Sequence, residues 1–298
     1  MFKTPFPRYI KSHEGVSLYI CTNFDPKNDF NGEEVIIFNY GLVCTNFHWE
    51  KQIPFFDQKG MKLLIYNYRG HLNSKGIDDV SKITFQSICS DLNTICEELG
   101  IHKAILFGHS MGVNVCLEFA KEFSERVAAL VLIAGTIFPP EDVMYNSQRM
   151  NAIFPFISFF QKEFPEIYQF LWKTGSFNPL VRYFVHKDGF HKKETSKEFV
   201  EAYLVRAGKY PPELFVHLLK QMRNHDIIAH LDKINAPTLI VGGDEDKIIP
   251  FSVQRAISAK IPHSELYMIK DGSHAPQVDF PNSFNERAEF FLKKYLFS

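Results

Sequence analysis

No two cysteines in this chain have the Cys-x-x-Cys spacing, and the five present, Cys21, Cys44, Cys89, Cys96 and Cys116, are an odd number. That pattern argues against both a disulfide framework and a zinc site, and free thiols suit a reducing compartment. No run of about 18 uncharged apolar residues occurs, so no membrane-spanning helix is expected. The opening segment Met1-Phe2-Lys3-Thr4-Pro5-Phe6-Pro7-Arg8 lacks the apolar core of a signal peptide. A cytoplasmic location is therefore the expectation. Charge of neither sign dominates: 33 Lys and Arg against 34 Asp and Glu leave a formal net charge of -1. Nothing in that balance favours a polyanion, so no nucleic-acid partner is expected. Internal repeats and low-complexity tracts are also absent.

What is present is a globular composition. Apolar residues make up 45% of the 298 and charged residues 22%, enough to bury a sizeable core. The 30 Phe are the unusual count. Val16 to Thr22 follows a His13-Glu14-Gly15 turn and reads as a strand. Continuous apolar runs follow at Val35–Phe38, Leu63–Tyr66, Ala104–Phe107, Ala129–Ile133, Thr238–Val241 and Leu266–Ile269. Such runs are expected of strands buried on both faces.

Helical periods lie between several of them. Phe85, Ile88, Leu92, Ile95 and Leu99 share one helix face, and Gly100 ends that helix. Val113, Cys116, Leu117 and Ala120 mark a second helix. Phe284, Ala288, Phe291 and Leu292 mark a closing one from Pro281 to Leu296. Strands alternating with helices predict an α/β fold with a mostly parallel, doubly wound sheet. The alternation breaks after Gly135, and about a hundred residues with helical patterns only precede Thr238. They include Phe199 to Val205, and Leu214, His217, Leu218 and Met222. We expect a core of residues 1–135 and 231–298 interrupted by a helical cap over 136–230.

Gly108-His109-Ser110-Met111-Gly112 follows a buried strand run directly and opens a helix. That is the setting of a Gly-x-Ser-x-Gly nucleophile elbow, where the serine sits on a strained strand-to-helix turn. Gly108 and Gly112 avoid side-chain clashes there. The free N–H groups of the helix start stabilise an oxyanion, with Met111 N–H as donor.

With this motif in this context the chain resembles the α/β-hydrolase-fold enzymes of the esterase, lipase and lysophospholipase-like group with GHSMG elbows. The resemblance spans nearly the whole chain apart from the cap, and it implies a Ser nucleophile, then an acid, then a His in chain order. It places the acid in Gly242-Gly243-Asp244-Glu245-Asp246, at Asp246, with Asp244 and Glu245 as neighbouring carboxylates. The alternative position after the preceding strand, Ala134-Gly135-Thr136, offers no carboxylate. The base falls at His274 in Gly272-Ser273-His274, after the last strand run. His109 is read as supporting the elbow. Relatives carry His-Gly-x after their first long buried strand, where x supplies the second oxyanion donor. Here the segment is Asn39-Tyr40-Gly41-Leu42, which makes Leu42 that donor, with Tyr40 in place of the usual His. Asn67-Tyr68-Arg69-Gly70-His71 is similar to the family's Asp-x-Arg-Gly-His segment, with Asn for Asp, a change expected to affect packing only.

The reading implied is a serine hydrolase acting on a carboxylic ester with a hydrophobic acyl group, through an acyl-enzyme and with no cofactor or metal. Serine at the elbow argues against dehalogenase and epoxide-hydrolase chemistry, which resembling enzymes perform with Asp. An acyltransferase on the same three residues, or a non-catalytic ligand-binding member of the fold, are the alternatives. The aromatic stretch Ala152 to Phe160, with Phe164, Ile167, Tyr168, Phe170, Leu171 and Trp172, is either an acyl pocket or the seam of a lid on the core. The basic segment His186 to Lys193 reads as a solvated loop, with peripheral contact to an anionic membrane through an exposed Phe190 as the lesser reading.

Overall fold

A computed structural model describes residues 2–77, 79–146, 155–156, 159–175 and 177–296. Eight strands form one sheet: β1 Phe6–Lys11, β2 Ser17–Thr22, β3 Val35–Asn39, β4 Lys62–Tyr66, β5 Ala104–His109, β6 Val127–Ile133, β7 Thr238–Gly243 and β8 Glu265–Ile269. Their spatial order is β1-β2-β4-β3-β5-β6-β7-β8. The pairs β1–β2 and β2–β4 are antiparallel, and all others are parallel. This is the α/β architecture expected from alternating strands and helices.

Every residue of β3, β5 and β7 is buried, as uninterrupted apolar runs require when helices cover both faces. One strand departs from expectation. The Leu266–Ile269 run forms β8, but it is an edge strand with Leu266 38% and Met268 45% exposed. Only one of its faces packs on the core, so its apolar continuity does not report double burial. Strand β1 carries no such run. With Pro7, Arg8 and Lys11 it lies at the opposite edge, where an unpaired side tolerates Pro and charge.

The helices that cover the sheet are α1 Gln52–Gln58, α2 Phe85–Leu99 and α3 Met111–Glu122. Among the described residues the longer helices between β6 and β7 are α4 Pro165–Gly175, α5 Pro179–Gly189, α6 Lys197–Ala207 and α7 Pro212–Arg223, preceded by a single turn at Pro140–Val143. After β7 come α8 Phe251–Ser258 and α9 Pro281–Leu296, with a single helical turn at Pro276–Asp279 between them. Phe85, Ile88, Leu92, Ile95 and Leu99 are all buried along α2, each contributing about 1.5–3 kcal/mol of apolar burial. Thr84 and Ser87 close a capping box at its start. Gly100 ends it at φ 69°, a left-handed position that costs glycine nothing. Phe284, Ala288, Phe291 and Leu292 of α9 pack with α1 residues Ile53 and Phe56 on the other face of the sheet.

Among the described residues no strand lies between Ile133 and Thr238. Leu214, Leu218 and Met222 of α7 are buried in the same apolar cluster as α2 and α3. By contrast α4 buries no residue. Tyr168 and Trp172 turn inward, the latter with its ring 5.3 Å from that of Phe215, while Phe164, Ile167, Phe170 and Leu171 face out. No helix of the described residues is long and apolar enough to cross a membrane.

Candidate active site

The parallel register sets the site. Asn39 at the end of β3 pairs with Gly108 on β5, so the loops that follow them leave one edge of the sheet side by side. Gly243 on β7 pairs with Ile269 on β8, which places the Asp246 and His274 loops at that same carboxyl edge.

Ser110 occupies the turn between β5 and α3 at φ 54°, ψ -120°, a strained conformation for a residue with a Cβ. The flanking glycines are needed for space. A Cβ at Gly108 would stand 2.6 Å from the Gly112 carbonyl oxygen and 2.7 Å from Cys116 Sγ. A Cβ at Gly112 would collide with the Asn39 carbonyl. Gly41 approaches from the side: a Cβ there would lie 3.0 Å from Ser110 Cβ. The Asn39–Leu42 loop thus runs against the serine. Leu42 lines the cavity beside it, and Met111 opens α3 in the first turn, where N–H groups have no intrahelical acceptor.

His274 Nε2 lies 3.1 Å from Ser110 Oγ, and His274 Nδ1 lies 2.9 Å from Asp246 Oδ2. An ionised carboxylate only accepts, so Nδ1 carries the proton and Nε2 is left to accept from the serine hydroxyl. The other oxygen of Asp246 accepts from Ile248 N–H at 2.8 Å and Ile249 N–H at 2.9 Å, which fixes the carboxylate plane. Asp246 is buried, whereas Asp244 and Glu245 are exposed. Of the three neighbouring carboxylates, Asp246 is the one that reaches the imidazole.

His109 Nε2 donates to the carbonyl oxygen of His274 at 2.9 Å. Burial, and then the repulsion a proton on His109 would meet from protons on His274 or His48, holds its pKa well below the usual histidine value, so it stays neutral. Tyr40, where relatives were expected to carry His, turns into the core. Its hydroxyl accepts from Tyr68 N–H at 2.9 Å, and its carbonyl accepts from Tyr68 Oη at 3.0 Å. Asn67 is buried, its Oδ1 accepting from Asn46 Nδ2 at 3.3 Å, while Arg69 forms two 2.7 Å hydrogen bonds with Asp91. His71 is buried beneath them with its pKa pushed down to about 4 by desolvation.

A cavity of about 550 Å³ opens beside Ser110 and His274. Its walls include Val43, Met144, Val185, Leu219 and Ile248, with Tyr145, Phe184, Phe190, Tyr203 and Phe215 as the aromatic part. None of the described residues of the 152–172 aromatic stretch lines it; residues 152–154 and 157–158 lie outside the described residues. Phe190, expected at the surface, is 5% exposed. It packs on Phe199, Tyr203 and His48 and faces the cavity, so the basic loop has no apolar anchor there for a membrane.

Several site residues had no sequence signal. His48 is one: it lines the cavity with its pKa lowered to about 4 by burial. Asp279 is another. Its Oδ2 accepts from Ser273 N–H at 2.9 Å and Ser273 Oγ at 2.6 Å. Its Oδ1 accepts from Thr195 Oγ1 at 2.5 Å and His191 N–H at 3.0 Å. One buried carboxylate therefore ties the residue before His274 to the helical segment. Only the fold brings positions 191, 195, 273 and 279 together. Among the described residues no group of His, Cys, Asp and Glu is arranged to hold a metal ion.

The family model described as "alpha/beta hydrolase fold" matches residues 34–281. RutD of Caulobacter vibrioides, named a candidate carbamate hydrolase, is 24% identical over 265 residues, covering 88% of this chain and 91% of its own. A 2-hydroxy-6-oxononadienedioate/2-hydroxy-6-oxononatrienedioate hydrolase of Klebsiella pneumoniae is 26% identical over 285 residues, covering 89% and 88%. Among solved structures, the esterase EaEST of Exiguobacterium antarcticum superposes with a TM-score of 0.77 at 17% identity, covering 97% of this chain and 100% of that one. With a match that spans the elbow, the Asp246 loop and His274 on the sheet described above, the chain belongs to the alpha/beta hydrolase fold family.

Proposed function

We propose that this protein is a serine hydrolase cleaving a carboxylic ester with a hydrophobic acyl group, with Ser110 as nucleophile, His274 as general base and Asp246 as orienting acid. The observation that carries the reading is the unbroken relay from Asp246 through His274 to Ser110, at 2.9 and 3.1 Å, opening on a largely apolar cavity. In the reaction His274 Nε2 takes the serine proton as Oγ bonds to the acyl carbon. The tetrahedral oxyanion is held by the backbone N–H groups of Leu42 and Met111, worth about 3–4 kcal/mol each. His274 then protonates the departing alkoxide, the C–O bond breaks, and water activated by the same imidazole releases the acid. Asp246 keeps the imidazole in the required tautomer and offsets its positive charge. No metal or organic cofactor enters this scheme.

The chain divides in this reading into a core of residues 1–135 and 231–298 and a cap over 136–230. The cap supplies most of the cavity's aromatic wall, from Tyr145, Phe184, Phe190, Tyr203 and Phe215. Relatives bear names for a carbamate and for a dienedioate, so the acyl group is a property of each cavity, and the apolar one here favours esters of hydrophobic acids.

The test is hydrolysis of chromogenic esters from short to long acyl chains, with Ser110→Ala as the blank. Turnover lost in that variant supports the reading, and the length optimum sizes the acyl site. Equal turnover by both proteins, or labelling of Ser110→Ala by a fluorophosphonate, overturns it.

A further inference from the structure

The cavity beside Ser110 is apolar and aromatic, yet it has one carboxylate. Among the described residues Asp188, near the end of α5, is its only acidic lining residue, and no Lys or Arg lines it. Among the described residues the Asp188 carboxylate has no hydrogen bond and no ion pair. Two lysines at this turn make other contacts: Lys187, adjacent in the chain, and Lys247, which reaches the Lys187 carbonyl. Lys187 Nζ lies over the Tyr183 ring, 5.8 Å from its centre. Lys247 Nζ donates to the Lys187 carbonyl at 3.4 Å. The charge of Asp188 is felt within the chamber. The phenol of Tyr145, another lining residue, is pushed up to about 12 by burial and then by the negative charges of Asp188 and Asp246.

A half-exposed carboxylate with no cation on it, in a cavity wall that also carries aromatic residues, can serve as one half of an ammonium site. Ring quadrupoles attract a cation at their faces, and the carboxylate neutralises it. Five aromatic residues are present in the same wall: Tyr145, Phe184, Phe190, Tyr203 and Phe215.

Building on the serine-hydrolase reading above, we propose that the Ser110 cavity takes an ester bearing an ammonium group, the cation held by Asp188 and the aromatic wall while the acyl carbon meets Ser110. Asp188 is then a specificity-determining residue that acts on binding of the charged arm.

The experiment compares two esters of one shape: butyrylcholine, and 3,3-dimethylbutyl butyrate, in which carbon replaces the quaternary nitrogen. Wild type is expected to favour the cationic ester by about tenfold or more in kcat/KM, and Asp188→Asn to bring that ratio to about one. A wild-type ratio of one or less, or a ratio unchanged in Asp188→Asn, overturns the proposal. A second measurement is independent of turnover. Tetramethylammonium should slow fluorophosphonate labelling of Ser110 in wild type and not in Asp188→Asn; equal rates with and without it in wild type count against the site. If Ser110 is not labelled at all, the hydrolase reading fails on its own. The ammonium site is then decided by calorimetric binding of tetramethylammonium to wild type, with loss in Asp188→Asn supporting it and no binding to wild type overturning it.

Discussion

His109 Nε2 donates a 2.9 Å hydrogen bond to the carbonyl oxygen of His274, so the residue before the proposed nucleophile holds the main chain of the residue that carries the proposed base. The two rings lie 5.2 Å apart, and burial keeps His109 neutral. Replacing His109 by Leu removes the donor and frees the His274 loop. A displacement of about 1 Å at the base costs on the order of 100-fold in rate. We expect kcat to fall by about 10- to 100-fold in His109→Leu, with recovery in His109→Gln, whose amide still donates. Steady-state kinetics on a chromogenic ester checks this; equal losses in the two variants would point to a packing role alone.

Asp246 is the buried carboxylate that reaches His274, while Asp244 and Glu245 face solvent. Asp246→Asn should lower kcat by about 10³- to 10⁴-fold, because the amide favours the wrong imidazole tautomer. Asp244→Asn and Glu245→Gln should stay within about twofold of wild type, since neither side chain reaches His274 and both are exposed. A large loss in either of these would reassign the acid.

At the elbow, Gly112→Ala forces a methyl group into the Asn39 carbonyl, and Gly108→Ala presses on the Gly112 carbonyl and Cys116. Overpacking of this kind costs about 1–3 kcal/mol. Urea unfolding should show a lower midpoint in both, and Gly112→Ala should also lose activity by shifting β3 relative to Ser110.

Helix α4 supports a contrast between neighbours. Leu171 is exposed, and Trp172 packs on Phe215. Leu171→Ser should change stability by no more than about 0.5 kcal/mol, and Trp172→Ala should cost about 1.5–3 kcal/mol. Thermal unfolding of the two variants distinguishes them.

Buried histidines make stability depend on pH. Burial lowers His48 and His71 from an ordinary value of 6.5 to about 4. Between those values the unfolded chain binds the protons and the folded chain does not, so the stability they contribute is full above pH 6.5 and is lost as pH falls towards 4. Each contributes a slope of about 1.4 kcal/mol per pH unit in that window. His71→Asn should flatten the slope by about that amount, as read from urea unfolding at a series of pH values. An unchanged slope would mean His71 is already protonated in the fold.

Much of the scaffold was legible from periodicity. Phe85 to Leu99 reported a buried helix face, and Val35–Phe38 and Ala104–Phe107 reported strands covered on both sides, because burial demands apolar residues at fixed spacings. The exceptions have a common cause. Strand β8 looked like an interior strand and β1 did not look like a strand, since edge position is set by neighbours rather than by a strand's own residues. Phe190 read as surface from its basic neighbours, yet the fold turns its ring into the cavity.

The sequence by itself determined the strand–turn–helix around Ser110 and the glycines that make the turn passable, and the resemblance pointed to Asp246 and His274 through the segments Gly242 to Asp246 and Gly272 to His274. These are local patterns, written within a few residues of one another. Tertiary structure brings Asp246, the carboxylate expected, against His274, and it alone decided that Asp279 joins Ser273 to Thr195 and that Asp188 shares a chamber with Tyr145 and Tyr203. Those relations connect segments up to 84 residues apart. Chain spacing carries no information about which distant loops come to face one another; the parallel register of β3, β5, β7 and β8 supplies it by bringing their carboxyl ends to one edge.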